Sequence, residues 1–219
     1  MSKSIELLKT WVKVGVVTGF LATIVYPLLI TVPMHLTLTV ILAAAFGPLL
    51  SVASMGLYHY MAAHKRTVTL QIAVVFNIIA GTLVNTMLVV QLAVREFLAL
   101  RLAEAGDEQV REIIRWGYSG ADKVQLGLDV SWDIYISVGT ILFALNMLRH
   151  PRFGRIVGGA GVVIGALLLF FNLISFPVPP ADSGSIDFGP LVGIWYFVVA
   201  ILMLRALKYL GSDQSEHPN

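Results

Sequence analysis

Residues Val14–Ala63 read VGVVTGFLATIVYPLLITVPMHLTLTVILAAAFGPLLSVASMGLYHYMAA and contain no Asp, Glu, Lys or Arg. A hydrocarbon layer about 30 Å thick is crossed by about 20 helical residues. The run is long enough for two crossings, and Pro33-Met34-His35 stands where a tight turn between them is needed. It lacks the alternation of a barrel strand and is much longer than the roughly 9–11 residues such a strand requires.

The same logic extends along the chain. No charge interrupts Thr67–Val94, and later apolar runs are separated by basic or Pro-rich connections. The pattern predicts an all-α, polytopic bundle of six spans, at about 14–32, 36–58, 68–94, 124–148, 156–176 and 188–204. Composition agrees: 57% of the 219 residues are hydrophobic, mean hydropathy is +0.82, and 13% are charged, against about 25% in a soluble domain. Lys3 and Lys9 before the first run resemble a signal peptide, but the run is too long and lacks a small-residue cleavage site, so it reads as a span. With no cysteine, disulfides and thiolate sites are excluded. No basic block points to nucleic acid. No cofactor or metal motif appears: His59 and His64 are five apart, and His35, His150 and His217 are scattered.

Orientation follows from Lys and Arg in the short connections. Lys3, Lys9 and Lys13 precede the first span. Lys65 and Arg66 follow the second, Arg149, Arg152 and Arg155 follow the fourth, and Arg205 and Lys208 follow the sixth. The intervening turns at Pro33–His35 and Pro177–Asp187 have no base. Both ends are therefore expected in the cytoplasm. The longer connection after the third span mixes signs. Within it, Asp107-Glu108 suits a helix start, and Val110, Ile113 and Ile114 share a face opposite Arg111, Glu112 and Arg115. This predicts a short amphipathic helix over 107–117, lying on the outer surface. The polar tail 211–219 is expected to be disordered.

The residues with most chemical content are Asp129 and Asp133. Four apart, they share a helix face inside an apolar span. A carboxylate near the bilayer centre costs about 2.5–3.5 kcal/mol on insertion scales, so the pair must meet protein, water or a cation. Asn85 and Arg95 of the third span and Asn172 of the fifth lie at compatible depth. All five are candidates for one ligand-binding pocket in the outer half, chosen by depth alone. Pro27 and Pro48 interrupt spans and free the Thr23 and Ala44 carbonyls. Gly154, Gly158, Gly161 and Gly165 share a face, as do Gly15 with Gly19 and Gly189 with Gly193. Such faces admit a close-packed helix, from this chain, a second copy or another membrane protein.

The stretch Gly139–Leu148, then Arg149-His150-Pro151-Arg152-Phe153-Gly154, then a glycine-rich span, resembles an uncharacterised bacterial multi-pass membrane family described only as a domain of unknown function. Members often carry Phe-Gly where this chain has Phe143-Ala144. The resemblance implies a similar length and helix number and a bacterial inner membrane, and it carries over no functional residue. Three readings stand on the residues: a module binding or transporting a small cation, proton or amine; a structural or regulatory subunit without a chemical site; and an intramembrane enzyme on lipid, with Asp129 and Asp133 as acid and base.

Overall fold

The computed structural model describes residues 3–210. Among them are six α-helices and no strand: α1 (Lys3–Thr31), α2 (Leu36–His64), α3 (Val68–Glu104), α4 (Glu108–Met147), α5 (Gly154–Ser175) and α6 (Gly189–Ala206). All six are long and apolar enough to cross a membrane, which makes this a multi-pass membrane protein by length and composition. The outward surface agrees. Ile24, Ile41, Val75, Val163, Phe170 and Ile194, from five helices, are each more than 50% exposed. An apolar girdle of that extent is incompatible with water as solvent. The tail 211–219 lies outside the described residues.

Short connections make consecutive helices antiparallel neighbours, and α6 returns against α1 to close the ring. One end of the ring carries Lys65, Arg66, Arg149, Arg152, Arg155, Arg205 and Lys208, and Glu6 is the one carboxylate there among the described residues. We call it the basic end. The other, acidic end carries the α1–α2, α3–α4 and α5–α6 connections.

Glycines set how closely the helices approach. A Cβ added to Gly15 of α1 would stand 2.6 Å from the Gly56 Cα of α2, so the two backbones touch there. Gly47 of α2 meets Gly81 of α3 in the same way. In α5, Gly158 and Gly165 lie on the α4 backbone, and Gly161 lies under the Trp195 ring of α6. At Gly158, Gly161 and Gly165 the glycine face of α5 is thus filled from within the chain, whereas nothing lies within 4 Å of a Cβ added at Gly154.

The amphipathic stretch 107–117 is helical but is not a separate element. α3 runs on to Glu104, and after Ala105–Asp107 the chain enters α4, which continues unbroken to Met147. Asp107 caps α4 by accepting from the Val110 N–H at 2.8 Å. No proline follows before Pro151, so nothing stops the helix before its membrane segment. Glu108 pairs with Arg115 at 2.8 Å and Arg111 at 3.8 Å, stiffening the first turns. With about 1.5 Å of rise per residue, the 40 residues of α4 far exceed the bilayer thickness. The α3–α4 hairpin therefore stands clear of it.

At the basic end, His150 locks the α4–α5 connection against α2. It is 5% exposed and sits against Tyr60, His64 and Phe153, with ring centroids 5.0–5.2 Å away. Its Nδ1 accepts from the Arg152 N–H at 3.3 Å. Burial, then the neighbouring His64 and the Arg152 charge, push its pKa down to about 4. His150 is therefore neutral in the fold but takes a proton below about 6.5 once unfolded. Its contribution is complete above that pH and falls as acid is added toward pH 4. Tm should drop between pH 7 and pH 5 in detergent, and His150→Phe should flatten that slope. An unchanged slope in the variant would refute the assignment.

Candidate functional site

A cavity of about 700 Å³ lies in the acidic half of the bundle, lined chiefly by α1, α2, α4 and α6 and by the α5–α6 connection, with Gln91 of α3 and Leu168 of α5 also in its wall. Four carboxyls line it. Asp129 and Asp133 project from successive turns of α4, and Asp182 and Asp187 come from the α5–α6 connection above them. No Lys, Arg or His lines the cavity. The acids interact with one another: Asp129 feels Asp187 and Asp182, and Asp133 feels Asp129. Among the described residues, no group of three acids and histidines gathers closely enough to hold a metal ion.

The walls are aromatic. Tyr26 of α1 lies 5.1 Å from Phe46 of α2 and 5.9 Å from Trp132 of α4, centroid to centroid. Tyr26 is also close enough to Asp129, Asp133 and Asp187 to sense their charge. Pro27 and Thr23 line the same wall. The ring of Pro27 deprives the Thr23 carbonyl of its helical donor, leaving a backbone dipole beside the acids. The Trp132 indole N–H is buried without a partner.

The deep side is closed by a polar knot. Tyr196 of α6 lines the cavity, and its hydroxyl accepts from Asn77 Nδ2 at 2.6 Å and from Thr140 Oγ1 at 3.1 Å. Asn77 also donates to Ser54 Oγ at 2.9 Å, joining α2, α3, α4 and α6. Toward the basic end the bundle is filled by a packed cluster that includes Leu57, Phe143, Met147, Trp195 and Met203.

Three of the five candidate residues come together. Asp129 and Asp133 face the cavity. Asn172 is fully buried behind it on α5. It donates to the Leu168 carbonyl at 3.0 Å, and its amide lies near Asp133. Its Oδ1 has no partner. Asn172 thus stands beside Asp133 and does not line the space.

Asn85 does not belong to the site. Its carboxamide, turned to satisfy its neighbours, donates to the Ala44 carbonyl at 2.7 Å and the Ala43 carbonyl at 3.2 Å. It repairs the donor that Pro48 removed from α2. Arg95 is also outside. It is exposed on α3 and absent from the lining. Both had the right depth, but a helix has an azimuth as well, and α3 turns these positions away.

The sequence reading missed Trp132, Asp182 and Asp187 as site residues. Asp182 and Asp187 were legible only as charge in a base-free connection. How that connection folds over the bundle is a tertiary fact. No known protein family, curated protein or solved structure matches this chain.

Proposed function

We propose that the protein binds a small organic cation, an amine or quaternary ammonium, in the acid-lined cavity, as a membrane-embedded binding or transport module. The observation that carries this reading is the pairing of four carboxyls with aromatic walls in a space without any basic side chain. A carboxylate supplies the counter-charge. Aromatic faces add about 2 kcal/mol or more when the cation is desolvated. The volume lies within the roughly 300–1,000 Å³ of small-molecule sites. A divalent metal is disfavoured because the acids are spread along the cavity and not gathered around one point. The basic end would face the cytoplasm by the positive-inside rule, which puts the cavity on the outer side of a bacterial inner membrane.

The test separates charge from shape. Benzyltrimethylammonium and its uncharged isostere neopentylbenzene would be titrated against the purified protein, with thermal shift and tryptophan fluorescence as readouts. The ammonium is expected to bind at least about tenfold more tightly, the equivalent of about 1.4 kcal/mol. Equal binding of the pair, or no response to any tetraalkylammonium from methyl to butyl, would reject the proposal.

A further inference from the structure

A second recess lies at the basic end, between the α2–α3 and α4–α5 connections, with a volume of about 360 Å³. Its chemistry is the reverse of the cavity's. Lys65, Arg149, His64 and His150 line it, with Thr67 and Asn146 beside them and no carboxylate.

Two ties hold the recess in shape. The His64 and His150 rings meet at 5.0 Å. The Thr67 hydroxyl donates to Asn146 Oδ1 at 2.7 Å, joining the start of α3 to α4. The neighbouring bases are engaged elsewhere. Arg66 reaches Gln71 at 3.0 Å, and the Arg152 guanidinium lies over the Tyr209 ring at 4.5 Å. Lys65 and Arg149 remain at the recess. The ion pairs Arg101–Glu104, Arg111–Glu108 and Arg115–Glu108 lie on the α3–α4 hairpin at the far end. Two cations brought to one concavity with no counter-charge among the described residues repel each other, and an anion seated between them relieves that repulsion.

The rim is apolar. Met61, Leu145 and Leu148 also line the recess. Leu145 is 44% exposed and Val68, beside Thr67, is 71% exposed, so the recess opens onto surface suited to acyl chains. Guanidinium favours phosphate oxygens, and basic pockets between membrane helices accept anionic headgroups.

We propose that this recess binds a phosphate-bearing anion, with Lys65 and Arg149 as its charge partners. The phosphate is either the diester of an anionic phospholipid or a soluble phosphate, and both present the same oxygens. Purified protein would be assayed by thermal shift and native mass spectrometry with phosphatidylglycerol, with phosphatidylcholine, and with inorganic phosphate alone.

Phosphatidylglycerol or inorganic phosphate is expected to stabilise the protein where phosphatidylcholine does not. Which of the two acts identifies the source. The double variant Lys65→Gln/Arg149→Gln should bind roughly thirtyfold more weakly, the equivalent of about 2 kcal/mol at about 1 kcal/mol per base. Lys65→Arg/Arg149→Lys should keep binding, which separates lost charge from damaged fold. The response should also weaken with added salt. Equal retention of phosphatidylglycerol and phosphatidylcholine with no phosphate effect, or an undiminished response in the charge-removed variant, would overturn the proposal.

Discussion

Replacing Asp133 with Asn is expected to weaken ammonium binding by roughly thirtyfold or more while making the unliganded protein more stable. The first effect follows from removing one member of a desolvated charge pair, which costs about 2–5 kcal/mol. The second follows from burial. Asp133 is 6% exposed, stands one turn from Asp129, and has an amide and no cation beside it. An uncompensated buried carboxylate is costly, and Asn keeps the shape without the charge. A gain of about 1 kcal/mol corresponds to a Tm about 2–4 °C higher at this size. The opposed signs separate the rival readings. If Asp133 were structural, Asp133→Asn would lower Tm and leave ammonium binding untouched. Asp182→Asn, at the connection, should mainly slow association and reduce its salt dependence. Measuring Tm and affinity on the same samples decides the matter.

The second large effect concerns the backbone. Gly56→Val should cost about 3 kcal/mol or more, because overpacking without room to yield is destabilising. The obstacle at Gly56 is the Gly15 Cα of α1 and the Trp11 carbonyl, not the far end of a flexible side chain. The α1–α2 pair would have to separate, disturbing the Trp11–His59 stack at 4.7 Å as well as the crossing. The expected result is a Tm lower by about 6–12 °C, with loss of monodisperse protein in mild detergent. Gly159→Ala is the control. Nothing lies within 4 Å of the added Cβ there, and alanine is favoured over glycine in a helix by about 1 kcal/mol. A Gly56→Val protein as stable as the parent would show that the helices do not touch at that point.

The helices were legible because hydrophobicity and helix length are local properties. Charge-free runs marked the parts of each helix that lipid selects, and turn residues such as Pro33 and Pro151 marked the breaks. Hydropathy could not find where α3 and α4 end, since both continue into water on ordinary helix-forming sequence. Asp129 and Asp133 stood out because an acid in an apolar span needs a reason. Asn85 misled for the same cause. Its polarity also needed a reason, but the answer was the Ala44 carbonyl freed by Pro48. Both halves of that answer were present in the sequence without anything to join them. Azimuth and the fold of the α5–α6 connection depend on contacts across the ring, which no single stretch encodes.

The projecting hairpin has a mechanical consequence. From Asp133 to Glu108, α4 extends as one rod for about 37 Å at helical rise. A tilt of about 10° at the level of Asp133 would sweep its tip through about 6 Å. A tilt of α4 on filling of the cavity would be magnified by this arm into a displacement that distance probes at the tip and on a neighbouring connection can resolve. The molecule thus carries a long pointer rooted beside the place where a guest would sit.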